Sequence, residues 1–160
     1  MAPPETAGYQ FNHTMIRVKD AKESIAFYTD VIGMELMSEY HNNDAKFSLY
    51  FLAFDRSDGK DTKEDKDNAK FRREGVLELT HNHGTESDAE FKGYANGNQD
   101  PGRGFGHIAI SVDDIQAACD RFESLGVRFH KKLTDGKMKN IAFILDPDGY
   151  WIEIVPKNFS

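Results

Sequence analysis

Tyr150-Trp151-Ile152-Glu153-Ile154-Val155, preceded by Asp146-Pro147-Asp148-Gly149, is the stretch whose reading decides the fold. Aromatic and β-branched residues behind a Pro-Asp-Gly turn predict a strand. Alternation places Ile152 and Ile154 on one face and Trp151, Glu153 and Val155 on the other. A carboxylate then stands among large apolar neighbours. Left ionised and unpaired there, it costs roughly several kcal/mol, so Glu153 requires a proton, a cationic partner or a metal.

Working outward, Gly75-Val76-Leu77-Glu78-Leu79-Thr80 reads as another strand with an acid between apolar residues. Near the start, His13-Thr14-Met15-Ile16-Arg17-Val18 reads as a strand with His13, Met15 and Arg17 on one face. Asp20 followed by Glu23 predicts a helix beginning near Ala21, with Ile25, Tyr28 and Ile32 as its apolar stripe and Gly33 as its stop. Strands are expected at 34–40 and 46–54. The same order then returns. A strand at 106–112 leads to Asp113-Asp114 as a cap, and to a helix bearing Ile115, Ala118, Cys119, Phe122 and Leu125 that stops at Gly126. Strands are expected at 127–131, 140–146 and 150–156. In both halves a His opens the first strand, a Val lies five residues later and an Asp seven, and a Glu lies in the last strand.

An internal duplication of a βαβββ module explains the pattern. The expected fold class is α+β, with two tandem βαβββ modules. Residues 1–10 form an N-terminal arm, 11–98 the first module and 99–160 the second. Within the first, 55–74 is a charged insertion: Asp55 to Asn68 reads as a solvated loop and Ala69 to Glu74 as a short helix. Residues 81–106, rich in Asn, Gly, His and Asp, read as a long irregular connection of the kind that is usually functional.

The chain has 160 residues, 39% hydrophobic and 29% charged, which suits a folded globular protein. No apolar run approaches the ~20 residues of a membrane span, and the N-terminus lacks a secretory pattern. A single cysteine, Cys119, suits a reducing compartment, so a cytoplasmic protein with no membrane partner is expected. A net charge of −7 argues against nucleic acid; an anionic ligand would need a local cationic cluster.

Two modules with one His and one Glu each offer a donor set of two imidazoles and two carboxylates: His13, Glu78, His107 and Glu153. These donors suit divalent zinc, nickel, cobalt or iron, and one cation would neutralise both acids. Singly, each signal is weak. A lone His opening a strand is more often a surface residue, and a lone Glu in an apolar strand an edge residue. Their recurrence at matching places carries the metal reading.

The segments Asn12 to Asp20, Lys46 to Leu52, Leu77-Glu78-Leu79-Thr80-His81-Asn82, Gly104-Phe105-Gly106-His107-Ile108 and Asp146 to Ile154 resemble the glyoxalase I (lactoylglutathione lyase) family of the vicinal oxygen chelate fold. The likeness runs from about Phe11 to Pro156. It implies a homodimer whose sheets form an open barrel-like site, each metal taking a His and a Glu from the first module of one chain and the second of the other. His13, Glu78, His107 and Glu153 fall on the family's ligand positions, the first of which is Gln in many members.

The resemblance further implies isomerisation of the methylglyoxal–glutathione hemithioacetal to S-lactoylglutathione through a metal-bound cis-enediolate, a methylglyoxal detoxification. Glu153 is implied as the principal base and Glu78 as the acid–base group for the opposite stereoisomer. With glutathione as co-substrate, Arg17, Asn82, Arg103 and His107 are implied substrate contacts. Lys137 and Met138 belong to a loop that closes over the substrate, with Lys131 assisting. Phe51, Ile141 and Phe143 are expected to line the apolar pocket, although aromatics in strands are core more often than ligand contacts, and Cys119 is expected in the core. Zinc is the expected metal, because the insertion and the 81–106 connection resemble zinc-type members; nickel or cobalt is the alternative. The chain departs from the family pattern at the polar His41-Asn42-Asn43-Asp44 and at His83, where a Trp is frequent. Rival readings are another metal-dependent enzyme of the fold, a dioxygenase or an epimerase, and a non-catalytic ligand-binding member. Four ligands and the cations favour the lyase.

Overall fold

The computed structural model describes residues 3–158. Met1 and Ala2 of the expected arm, and Phe159 and Ser160 of the expected second module, lie outside the described residues. The chain divides into two compact units, one ending at Phe91 and the other beginning at Lys92.

The first unit contains β1 (His13–Val18), α1 (Ala21–Ala26), β2 (Glu35–Asn42), β3 (Phe47–Ala53), α2 (Lys63–Ala69) and β4 (Val76–Asn82). Its sheet runs β1-β4-β3-β2, with β1 parallel to β4 and the other pairs antiparallel. The second unit contains β5 (His107–Val112), α3 (Ile115–Ser124), β6 (Phe129–Lys131), β7 (Ala142–Leu145) and β8 (Trp151–Pro156). Its sheet runs β5-β8-β7-β6, again with the first and last strands parallel. Each unit is the expected βαβββ module, the first enlarged by α2.

Local chemistry sets these elements. Asp20 accepts hydrogen bonds from the backbone N–H groups of Lys22 and Glu23, and Asp114 from that of Ala117, so each first strand hands over to a capped helix. Gly33 and Gly126 end the helical segments with φ of 88° and 71°. Period-two burial follows. Ile16 and Val18 are buried while His13, Met15 and Arg17 are exposed. Ile152 and Ile154 are fully buried while Trp151, Glu153 and Val155 are half-buried. Burying such an isoleucine contributes about 1.5–3 kcal/mol, which fixes the face on which Glu153 emerges. Before β8, the buried Asp146 accepts from the N–H of Tyr150 at 2.8 Å, and Gly149 takes φ 85°, so the turn is stapled by its own side chain.

Three local expectations change. The insertion helix lies at Lys63–Ala69, not at 69–74, because Thr62 and Asp65 form a reciprocal capping box. None of its residues is buried; it is fastened to β2 by Lys66 to Glu35 at 2.5 Å and by Ser38 to Asp67. Along α1 and the π-helical turn that continues it (Phe27–Val31), the buried stripe is Ala21, Ser24 and Tyr28, with Ile25 and the C-cap residue Ile32 half-buried. On α3, Cys119 and Phe122 are buried but Leu125 is 52% exposed, since it is the C-cap residue and lies past the last buried turn.

The 83–106 connection carries no helix or strand. Its last part is nonetheless shaped by contact: a Cβ on Gly97 would lie 2.0 Å from the carbonyl oxygen of Phe105, so only glycine fits. Asn98 Nδ2 donates to the carbonyl of Gly106 at 2.5 Å, holding this loop beside the start of β5.

Candidate metal centre

Each unit places one His and one Glu side by side, and the register explains how. In the first sheet His13 is opposite Val76, so Glu78 lies two residues further along the parallel neighbour, opposite Met15. In the second, His107 is opposite Trp151 and Glu153 lies two further along, opposite Ala109. The two offsets are the same. A two-residue step keeps the acid on the histidine's face of the sheet. His13 Nε2 and Glu78 Oε2 are 3.1 Å apart, and His107 Nε2 and Glu153 Oε2 are 3.3 Å apart.

The third strand repeats the likeness. Phe51 is opposite Glu78 and Phe143 opposite Glu153. Each ring meets its unit's histidine edge-on, at 6.2 Å for His13 and 5.3 Å for His107. The acids are largely enclosed, with side chains 13% and 21% exposed.

This spacing suits a shared cation. Two donors at about 2.0–2.2 Å from one ion, separated by about 90–110°, lie roughly 3.0–3.5 Å from each other. An imidazole nitrogen and a carboxylate oxygen at 3.1 or 3.3 Å match that edge. Among the described residues no group of three or more His, Cys, Asp or Glu side chains is poised for a metal, so each pair supplies two donors.

The remaining expected site residues lie on these strands and on the loops of each unit. Arg17 lies on the His13 face of β1 and Asn82 at the end of β4; both are exposed. Arg103 is exposed on the loop before β5, and its Nε donates to Asp100 at 2.9 Å. Lys137 and Met138 are exposed on the loop between β6 and β7. Phe51 and Ile141 are buried and Phe143 is half-buried. Cys119 is a buried free thiol, and burial pushes it above its usual pKa.

Lys131 is hydrogen-bonded to the loop it is expected to assist. Its Nζ donates to the carbonyls of Lys132 at 3.2 Å, Met138 at 2.7 Å and Ile141 at 2.8 Å. All three ammonium hydrogens are used in folding the loop that carries Lys137 and Met138. The polar stretch 41–44 forms part of a hairpin: Asn42 Oδ1 accepts from the N–H of Ala45, and His41 and His83 both hydrogen-bond the buried Ser48 hydroxyl at 2.8 Å.

Sequence reading assigned nothing to Asn12. Its Oδ1 lies 2.6 Å from His13 Nδ1, and its Nδ2 donates to the carbonyls of Lys70 at 2.8 Å and Arg73 at 2.6 Å. Those partners are 58 and 61 residues away, beyond any local pattern.

Residues 10–154 match the Glyoxalase/Bleomycin resistance protein/Dioxygenase superfamily, and the chain belongs to it. It is 56% identical to the lactoylglutathione lyase of Pseudomonas aeruginosa, over 97% of this chain and 86% of that one. It is 53% identical to the lactoylglutathione lyase of Schizosaccharomyces pombe, over 94% of this chain but 48% of that one. Among solved structures, the trypanothione-dependent glyoxalase I of Leishmania major superposes with a TM-score of 0.65 at 30% identity, over 93% of this chain and 87% of that one. Within the superfamily, this chain is an enzyme of the lactoylglutathione lyase, or glyoxalase I, family.

Proposed function

We propose that this enzyme isomerises the hemithioacetal of methylglyoxal and glutathione to S-lactoylglutathione. It does so with a divalent cation held by His13, Glu78, His107 and Glu153, zinc in the first instance and nickel or cobalt as alternatives. The observation that carries the reading is the repeated His–Glu pair, at one register and nearly one spacing in both units.

When bound, the cation supplies Lewis acidity toward adjacent substrate oxygens. The proton transfers belong to the protein. Glu153 removes the proton from the hydroxyl-bearing carbon beside the carbonyl and returns it to the former carbonyl carbon, while the hydroxyl proton passes to the former carbonyl oxygen; one C–H and one O–H bond break, one of each forms, and no external oxidant is needed. Glu78 performs the same transfer on the opposite stereoisomer. Arg17 and Arg103 meet the glutathione carboxylates, for which guanidinium is suited, with Asn82 and His107 as further contacts. The loop bearing Lys137 and Met138 closes over the substrate.

A pair of donors is half of a four-coordinate site. In our reading a homodimer completes it, joining the first-unit pair of one copy to the second-unit pair of the other. The S. pombe relative supports this, since a chain of which this one spans 48% has room for two such copies. We place an arm at 1–10, a first module at 11–98 and a second at 99–160, a boundary seven residues beyond the end of the first compact unit at Phe91. Among the described residues no helix is long and apolar enough to cross a membrane. Together with the free thiol of Cys119, this fits the cytoplasmic placement we propose.

Methylglyoxal and glutathione added to zinc-loaded protein are expected to give rising thioester absorbance, abolished by chelation and restored by zinc. Inactivity of zinc-, nickel- and cobalt-loaded protein alike would overturn the proposal.

A further inference from the structure

We propose that Asn12 is a positioning residue for His13. Its carboxamide dictates which imidazole nitrogen faces the cation and couples that choice to the inserted segment 55–74. This rests on the reading of His13 as a metal ligand.

The hydrogen-bond network determines the orientation. The carbonyls of Lys70 and Arg73 can only accept, so the amide NH2 of Asn12 must face them. Oδ1 is then left toward His13, at 2.6 Å from Nδ1. An amide oxygen also only accepts, so Nδ1 carries hydrogen. The nitrogen left to face a ligand is then Nε2, the atom 3.1 Å from Glu78 Oε2. A lone pair facing a carboxylate at that distance calls for a positive charge between them, a proton or a metal ion. Asn12 thus prepares the nitrogen that the metal reading requires, as an outer partner that fixes tautomer and ring plane.

The inserted segment supplies the rest of the grip. Phe71 lies 6.3 Å from the His13 ring and 5.6 Å from Phe51, which itself meets His13 at 6.2 Å. Lys70, Phe71 and Arg73, all from the end of the insertion, converge on one ligand through Asn12 or by ring contact. The second unit lacks the equivalent amide: the residue before its histidine is Gly106, which has no side chain to offer.

Asn12→Ala, Asn12→Asp and His13→Ala separate the possibilities. Zinc affinity is read by competition with a chromophoric chelator, the His13 tautomer by 15N NMR, and the insertion by amide exchange over 55–74. Asn12→Ala is expected to weaken zinc binding about 10–100-fold and to mix the His13 tautomers. Asn12→Asp keeps the acceptor but loses both donors, so it should hold zinc at least as well as the native chain while 55–74 exchanges faster. If Asn12→Ala leaves affinity and tautomer unchanged, or Asn12→Asp loses zinc as severely as Asn12→Ala, the inference is overturned. His13→Ala checks its foundation: undiminished zinc affinity there overturns the ligand reading itself, whereas a loss there with none in Asn12→Ala overturns only the role of Asn12.

Discussion

The two sheets share strand order, direction and register, yet differ at their outer strands and in how each histidine is held. In the first unit, edge strand β2 runs over Glu35–Asn42 and has α2 fastened to it. In the second, edge strand β6 is three residues long and no helix is inserted. Both are ways of limiting an exposed edge that would otherwise invite another strand. His13 is fixed by Asn12, while His107 depends on its ring contact with Phe143 and its pairing with Glu153. What stayed fixed is therefore the register of the parallel pair and the aromatic beside it. The edges and the support behind the histidine were free to diverge.

The largest expected effect tests functional asymmetry between the copies. Glu153→Gln should lower kcat by about 10²–10⁴, and Glu78→Gln should cost clearly less with a single stereoisomer as substrate. Equal losses would break the assignment of Glu153 as principal base. Next come the cores. Leu79→Ala and Ile154→Ala each empty a fully buried site and should cost about 2–5 kcal/mol in urea unfolding. Amide exchange should place the damage of the first in β1–β4 and of the second in β5–β8. A smaller effect concerns α2: Thr62→Ala removes half of the capping box and should cost about 0.5–2 kcal/mol locally, seen as faster exchange over Lys63–Ala69.

The smallest effect is with pH. Thr62, through its hydroxyl and then its N–H, holds the Asp65 carboxyl below the usual range; Lys70 and Ser38 do the same for Asp67. A depressed folded-state pKa lends stability that is present above the ordinary aspartate value and is lost as pH falls through the depressed one. Protection of α2 should thus decline below about pH 4. Unchanged exchange there would show that the cap and the ties to β2 contribute little.

Much of this was legible in the sequence because its causes are local. Period-two alternation places Ile152, Glu153 and Ile154 without any knowledge of their neighbours, and Asp–Gly and Asp–Asp signals punctuate the elements. The repeated offset from His13 to Asp20 and from His107 to Asp114 exposes the duplication. Helix α2 was not legible as a helix because it has no apolar stripe; its support is a cap and ion pairs to a distant strand. Asn12 and Lys131 were illegible as structural braces for a related reason. Their partners are backbone carbonyls, which carry no sequence identity.

The central claim is that one cation takes its ligands from the first unit of one copy and the second unit of another. It is tested most directly by mixing two inactive chains, His13→Ala/Glu78→Ala and His107→Ala/Glu153→Ala. After exchange of subunits, the mixture should bind zinc tightly and recover about a quarter of native activity, since half of random dimers carry one intact site of two. Tight stoichiometric zinc in either chain alone, or no recovery from mixed dimers shown to have formed, would contradict the account.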